Sequence, residues 1–451
     1  MASAPYSSAG FSWLSIVRIG LVQACIGALV MMATTVLNRL MVVEYGLIAA
    51  IPAGLVSWHY AVQLGRPIWG HGSDQGKSRA PWIIGGMIVL AFGALLSTQA
   101  TLMMAQPSTT AFTLAILGYT IIGVGVGAAG TSALALLASS VAPQRRAPAA
   151  ALTWIMMIAG IVVSAITVGA AIKPFSPERL TEVSILLAAI AVTVTAIAAW
   201  RLDSGQYTFE ETRKSDETPD FRSAIREIFA EQAARRFTIF IFVSMMAYNM
   251  QDLILEPFAG EIFGMAPGDS TQLGGMLNAG GLVGMIVAGV GGSAFQARLP
   301  RDLRFWIVSG CVGSAIGLAG LAMGAAIGPG WPLTANVIFL GFCNGVFAVA
   351  AIGAMMGLAG AGEKTREGVR MGVWGASQAI AFGFAGFLGA AGRDIAKAIL
   401  GDVGRAYQIV FAFEGMLFVA AALLALLITA PSGKAPSIQT TKPDPEAEAF
   451  A

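Results

Sequence analysis

Residues 82–103 read WIIGGMIVLAFGALLSTQATLM, and none of these 22 side chains is charged. A helix of about 20 apolar residues spans the hydrocarbon core of a bilayer. The chain contains eleven further apolar runs of comparable length, two before this one and nine after it, so the sequence predicts an all-α polytopic membrane protein with twelve transmembrane helices. The twelve runs lie near residues 12–36, 45–64, 82–103, 111–139, 149–172, 183–200, 237–258, 271–295, 304–327, 333–360, 371–391 and 406–430.

The composition excludes several other classes of protein. Hydrophobic residues make up 56% of the 451 residues, charged residues only 12%, and the net formal charge is +2. A soluble domain carries about 25% charged residues, so this chain has too few charges to cover an exterior that faces water. Nucleic-acid binding needs a concentrated basic surface, and a disordered chain needs far lower hydrophobicity. The lipid bilayer is therefore the expected surrounding of most of the chain.

The basic residues predict how the helices are oriented, because cytoplasmic loops of membrane proteins are rich in Lys and Arg. With the N-terminus in the cytoplasm, twenty of the 27 basic residues fall on the cytoplasmic side and six on the other side. The remaining one, Arg18, lies within the first run and speaks against a cleaved signal peptide. The even number of spans brings both termini to the cytoplasm.

A short pattern occurs once before and once after the polar stretch at 201–236, and this repeat predicts two parallel halves. Arg146 precedes Trp154 by eight residues at the entry to run five, and Arg366 precedes Trp374 by eight at the entry to run eleven. The polar stretch at 201–236 is expected to contain an amphipathic linker helix that lies on the membrane surface. The alternative is a docking site for a soluble partner. The predicted domains are a six-helix half at 1–200, a cytoplasmic linker with an amphipathic helix at 201–236, a six-helix half at 237–430 and a disordered tail at 431–451.

The sequence contains no recognisable catalytic set, and we predict that the chain is not an enzyme. Cys25, Cys311 and Cys343 lie in apolar runs and are expected to be free thiols. Two histidines in the whole chain are too few for a zinc site, so no metal site is expected. The GVGAAG at 125–130 lies inside an apolar run, where it predicts close helix packing and not dinucleotide binding. Gly280–Gly284 predicts the same.

The loop after run two is a candidate cytoplasmic latch. Residues 65–79 read GRPIWGHGSDQGKSR. Glycines permit a tight turn, and Asp74 can cap or pair with a neighbouring helix end. The pattern resembles the loop after the second span of the major facilitator superfamily, and this resemblance implies a latch formed by Gly70, Asp74, Lys77 and Arg79. A generic basic hairpin is the alternative.

Run seven ends in an unusual concentration of polar residues. Asp252 and Glu256 are four residues apart and would share a helix face. Each costs a few kcal/mol in lipid unless it is paired, hydrated or protonated. One interpretation is a functional polar cluster inside the bundle; the other is that Pro257 ends the helix and both acids lie in headgroup water. The remaining candidate members of the cluster are Tyr248, Asn249, Gln251 and Asn278.

The same stretch carries a closer resemblance. Residues 251–260, read as Gln-Asp-x-x-Leu-Glu-Pro-x-x-Gly, resemble the bacteriochlorophyll-delivery branch of the superfamily, the PucC and LhaA type of light-harvesting assembly factor. Residues 38–44 and 66–74 are similar to it as well, and the likeness covers residues 18–430. It implies a non-enzymatic factor in the photosynthetic membrane with bacteriochlorophyll, and in some cases carotenoid, as cargo. The implied partners are light-harvesting antenna polypeptides and bacteriochlorophyll synthase.

Two isolated polar residues complete the set of candidates. His59 in run two is a candidate axial ligand for the magnesium of bacteriochlorophyll, with a structural hydrogen bond inside the bundle as the alternative. Glu414 in run twelve is a candidate proton-coupling carboxylate, with a structural role as the alternative. It supports a second hypothesis, a proton-coupled secondary transporter of a hydrophobic or tetrapyrrole-like solute.

Overall fold

The computed structural model describes residues 11–65, 78–141, 145–202, 232–293, 303–360 and 367–427, and the regular secondary structure of these ranges is helical. The linker helix, the C-terminal tail and three of the four latch residues, Gly70, Asp74 and Lys77, lie outside them. The fourth, Arg79, directly precedes the third helix.

Six helices form the first half of the described chain. The first continues beyond Met31 through two π-helical segments, Met32–Leu37 and Leu40–Glu44. The second ends in a 3-10 turn at Gln63–Gly65. The helices are α1 Trp13–Met31, α2 Ala50–Val62, α3 Ala80–Met103, α4 Thr109–Ser140, α5 Arg146–Ala171 and α6 Pro177–Ala199.

The second half has the same number of helical segments, but its first segment is broken. A 3-10 turn, Gln251–Leu253, separates two helices that are bent by 43°. The prediction that run seven is one helix ending near 258 is therefore wrong, because helical structure resumes and ends at Phe263. The helices are α7 Gln232–Met250, α8 Leu255–Phe263, α9 Pro267–Ser293, α10 Leu303–Ile327, α11 Leu333–Gly360, α12 Glu367–Leu400 and α13 Val403–Leu427.

Each predicted apolar run coincides with one of these segments, and the protein is a multi-pass membrane protein. Among the described residues, nine helices are long and apolar enough to cross a membrane, or ten when α7 and α8 count as one span. The described part of run two is short, because α2 and its 3-10 turn together cover only residues 50–65. The all-helical class is thus confirmed, and a total of twelve spans stays a prediction.

Glycines allow neighbouring helices to approach until their backbones touch. A Cβ on Gly125 of α4 would lie 2.5 Å from the Leu90 amide nitrogen of α3. A Cβ on Gly284 of α9 would lie 2.0 Å from the Phe342 carbonyl oxygen of α11. Lipid provides no hydrophobic force between helices, so such close packing is what holds them together. The prediction that the glycines at 125–130 and 280–284 serve helix packing is confirmed.

The halves meet through two pairs of helices. α2 packs against α12, and α5 packs against α9. The first pair corresponds to runs two and eleven, and the second pair corresponds to runs five and eight. A shift of six runs turns run two into run eight and run eleven into run five, so the two contacts are equivalent in the two halves.

Arg18, the isolated charge of run one, makes its hydrogen bonds within the first half. Its Nε donates a hydrogen bond to the Ala198 carbonyl oxygen at 2.9 Å and Nη2 donates one to that of Trp200, so it caps the end of α6.

Replacing Gly86 with Ala tests the packing of α3 on α4. The added Cβ would lie 2.5 Å from the Ala129 amide nitrogen, a backbone atom that cannot move alone. We expect a loss of about 1–3 kcal/mol in the free energy of unfolding, the usual cost of overpacking. Thermal unfolding of the purified protein in detergent measures the effect. Gly85→Ala is the control, since a Cβ there meets no atom within 4 Å; equal unfolding temperatures for the two variants would contradict the packing.

Candidate functional site

A cavity of about 650 Å³ lies between the two halves. Its wall is mostly apolar, with a small number of polar groups, which is the usual character of a small-molecule site. The first half contributes residues from α1, α2, α4 and α5, and the second half contributes residues from the broken segment, α9 and α12. The apolar lining includes Ile26, Val30, Val56, Val126, Trp154, Met157, Ile161, Leu277 and Phe382.

The break in run seven explains how acidic side chains reach this cavity. Pro257 has no amide hydrogen, so the carbonyl of Leu253 loses the hydrogen bond that a continuous helix would give it. In lipid that carbonyl needs another donor. Asn38 of the first half provides it, because its Nδ2 donates to the Leu253 oxygen at 2.8 Å. Asn38 lies beyond α1, between the two π-helical segments that continue it, a type of irregularity common at functional sites.

Asp252 and Glu256 occupy the two sides of the break, and both line the cavity. Asp252 lies in the 3-10 turn, and its exposed side chain faces the cavity. Glu256, in the first turn of α8, is only 2% exposed. Pro257 does not end the helical segment, since α8 extends six residues further, to Phe263.

Glu256 has unusual surroundings for a carboxyl group. Neither of its oxygens has a hydrogen-bond partner. Arg39 and the hydroxyl of Thr271 lie near enough to interact with it electrostatically. The guanidinium of Arg39, however, is already engaged, because it donates to Glu44 Oε1 and to the carbonyl oxygen of Met265, both at 2.6 Å.

The other polar residues predicted near run seven divide into two groups. Asn249 and Asn278 line the cavity; their Nδ2 atoms donate to the carbonyls of Phe382 at 3.3 Å and Gly274 at 3.0 Å. Tyr248 stacks on Phe382, with 6.3 Å between the ring centroids, and Gln251 is buried behind the break. These last two support the wall without lining the cavity.

His59 lies in the cavity wall on α2 and is 2% exposed. Its Nδ1 is 2.6 Å from the carbonyl oxygen of Val56. A carbonyl can only accept, so Nδ1 donates and, in the neutral ring, Nε2 carries the lone pair. This is the tautomer that a metal ligand requires. The imidazole centroid is also 4.2 Å from that of the Tyr60 ring.

Glu414 does not line the cavity. It is fully buried in α13, and neither of its oxygens has a hydrogen-bond partner. It interacts electrostatically with Asp252 and lies beside the backbone of Gln251, so it is on the far side of the break. The break therefore separates a carboxyl group that faces the cavity from one that is enclosed by protein.

Sequence reasoning missed a polar network at one end of the cavity. Arg393 of α12 pairs with Glu261 and with Asp394, at 2.7 Å for the latter, and the hydroxyl of Tyr407 donates to Glu261 at 2.6 Å. The Asp394 carboxylate also accepts from the Ala50 amide at 2.7 Å, which caps the start of α2 in the other half. The apolar runs around Arg393 and Glu261 give no signal of this pairing, because 132 residues separate the two.

A further ion pair joins the halves at the same end, where Lys173 contacts Asp269 and Gln272. The distribution of Lys and Arg predicts that this end lies on the side opposite the cytoplasm. The cavity extends the other way, as far as Gln63 and Leu64 at the end of the second helix. The structure is thus closed at one end and hollow toward the other.

The fold is similar to that of solved transporter structures. The crystal structure of a D-xylose-proton symporter is similar over 93% of this chain and 98% of its own, with a TM-score of 0.69 at 13% sequence identity. At this identity the likeness concerns the fold alone.

The family model described as "PUCC protein" matches residues 36–432, and the chain belongs to the PucC family. A protein of Rhodobacter capsulatus named "Bacteriochlorophyll synthase 44.5 kDa chain" is 46% identical over 94% of this chain and 97% of its own. "Protein PucC" of Cereibacter sphaeroides is 29% identical over 90% of both chains. The family resemblance predicted from the motifs is confirmed.

Replacing Arg393 with Met tests the closed end. The side chain of Arg393 is 3% exposed and that of Glu261 17% exposed, so the variant leaves a buried carboxylate without its cation. We expect a loss of about 3–5 kcal/mol in stability, measured by thermal unfolding. The double variant Arg393→Met/Glu261→Gln should recover part of this loss. The exposed Arg405 provides the control substitution, and a loss no greater than that of Arg405→Met would contradict the assignment.

Proposed function

We propose that the chain is a non-enzymatic membrane assembly factor that holds bacteriochlorophyll in the central cavity and delivers it to light-harvesting complexes. The observation that carries the proposal is a mostly apolar cavity with few polar groups in a chain of the PucC family. Its volume of about 650 Å³ lies within the range of cavities that enclose drug-sized ligands. A flat, apolar pigment ring with a polar edge has matching chemistry.

The residues of the cavity support specific roles in this function. His59 would ligate the magnesium of the pigment through Nε2, the nitrogen that its contact with Val56 leaves with a lone pair. Asn249, Asp252, Glu256 and Asn278 would contact the polar edge of the ring. The long hydrocarbon tail of the pigment, or a carotenoid, would lie along the apolar part of the cavity wall, which includes Ile26, Val30 and Met157.

The proposed partners are the enzyme that supplies the pigment and the polypeptides that receive it. The name of the relative that is 46% identical, a chain of bacteriochlorophyll synthase, supports an association with pigment synthesis. Bacteriochlorophyll synthase would supply the pigment, and antenna polypeptides would receive it. We place the protein in the bacterial cytoplasmic membrane, in its intracytoplasmic photosynthetic part, with twelve spans and both termini in the cytoplasm. Gly70, Asp74, Lys77 and Arg79 would form the latch on that side.

A proton-coupled transporter of a hydrophobic or tetrapyrrole-like solute is the second candidate function. The observation that favours it is the pair formed by Asp252, which faces the cavity, and Glu414, which is fully buried and interacts with Asp252 electrostatically. Two such carboxyl groups can pass a proton between the cavity and the bundle interior. Proton-driven uptake of solute into liposomes containing the purified protein would favour this candidate over the first.

Purification in mild detergent from a photosynthetic membrane tests the first function. We expect bacteriochlorophyll absorption in the purified protein, together with co-purifying antenna polypeptides or bacteriochlorophyll synthase. In His59→Phe we expect most of the pigment to be lost, whereas Trp58→Phe, an exposed neighbour, should keep it. Full pigment content in His59→Phe would remove the ligand role from His59. Absence of pigment and of these partners from the unmodified protein would contradict the function.

The orientation has its own test. Arg235 and Lys397 are exposed and are predicted on opposite sides of the membrane. In Lys397→Cys we expect labelling by a membrane-impermeant maleimide on intact spheroplasts, and in Arg235→Cys only on inside-out vesicles. Background labelling should be low, since the native cysteines are buried or partly buried. The reverse pattern would contradict the predicted topology.

A further inference from the structure

The carboxyl group of Glu256 is part of the cavity wall, and it lies near Arg39 and Thr271 without a hydrogen bond to either of its oxygens. It is 2% exposed, both oxygens lack a hydrogen bond, and it lines the cavity. Space for it is kept by Gly274 of α9, where a Cβ would lie 2.8 Å from Glu256 Oε1. A buried polar atom without a hydrogen bond is costly, so this arrangement indicates that a ligand supplies the missing partner.

The surrounding charges decide in which form the group meets that ligand. From the helical continuation of α1 it faces Arg39, whose charge is already balanced by Glu44 at 2.6 Å. The break adds Asp252, a second acid, and α2 adds His59 on the wall of the same cavity. α9 contributes the hydroxyl of Thr271, and the cavity residues of α12 are uncharged. A further negative charge in such an apolar site is unfavourable, and a buried acid avoids the cost by taking up a proton.

We infer that Glu256 meets the cargo as a neutral carboxylic acid and donates a hydrogen bond to a carbonyl oxygen on the edge of the pigment ring. The inference rests on the proposed function. The ring of bacteriochlorophyll carries keto, acetyl and ester carbonyls, which accept hydrogen bonds and do not donate them. An ionised carboxylate only accepts and would repel these groups, whereas the neutral acid donates to them.

A dependence of binding on pH follows. The donor exists only while Glu256 is protonated, so at pH values where His59 is neutral and can ligate the magnesium, affinity for the pigment falls as rising pH ionises Glu256. Glu256→Gln keeps a donor in its amide but has no proton to lose. This variant should therefore bind the pigment with an affinity that no longer falls with rising pH.

The experiment uses the full-length protein in lipid nanodiscs, titrated with bacteriochlorophyll a at several pH values. Absorption reports the affinity, and resonance Raman spectroscopy reports the carbonyl stretching frequency, which a hydrogen bond lowers. We expect a lowered frequency in the unmodified protein and in Glu256→Gln. In Glu256→Leu we expect the frequency of a free carbonyl and an affinity about 10-fold weaker. Glu182→Leu, which removes an exposed glutamate on α6, should match the unmodified protein.

Several outcomes would overturn the inference. If Glu256→Leu binds pigment with the same lowered carbonyl frequency, Glu256 is not the donor and the proposed function stands. Tetraphenylphosphonium, a lipophilic cation, serves as the probe for an ionised site. If the unmodified protein binds it equally tightly at low and high pH and Glu256→Gln loses this binding, Glu256 is a carboxylate throughout and the inference is wrong. If the unmodified protein binds no pigment at any pH, the proposed function and the inference fail together. Should Glu256→Leu not accumulate, the pH profile of Glu256→Gln decides, and a slope equal to that of the unmodified protein contradicts the inference.

Discussion

A hydrogen bond between the halves, from the Asn38 side chain to the Leu253 carbonyl, is the contact on which the arrangement of the site depends. Water is absent from the interior of a bilayer, so a backbone carbonyl there needs a partner within the protein. Pro257 removes the usual partner of Leu253, and the first half of the chain supplies another. The same contact stabilises the break in run seven, and the break brings one acid to each side of the turn.

The polar groups at the closed end and the polar groups in the cavity serve different purposes. At the closed end, the carboxylate of Glu261 accepts from both Arg393 and Tyr407, and Asp394 links Arg393 to the first turn of α2. In the cavity, by contrast, Glu256 has no hydrogen-bond partner. The carboxylates of the first network are paired within the protein, whereas the carboxyl group of Glu256 is not. The first is therefore suited to holding the halves together and the second to receiving a ligand.

Much of the fold could be predicted from the sequence, because lipid imposes a simple requirement on it. A spanning helix must be long and apolar, and each of the twelve predicted runs falls on a helical segment. The break was not predicted, because a proline at the end of an apolar run also marks an ordinary helix terminus. The pairing of Arg393 with Glu261 was not predicted either, since local patterns carry no information about partners 132 residues apart.

The sequence by itself determined the class of protein, the positions of the apolar segments and the family, because these follow from local composition and short motifs. Only the tertiary structure decided which polar residues share the cavity. It placed Asp252 and Glu256 on the wall, Tyr248 and Gln251 behind it, and Glu414 on the far side of the break. The physical reason is that helix faces toward lipid and toward the bundle are both apolar, so hydrophobicity leaves the rotation of each helix about its axis undetermined. Close glycine contacts and hydrogen bonds between helices determine that rotation instead.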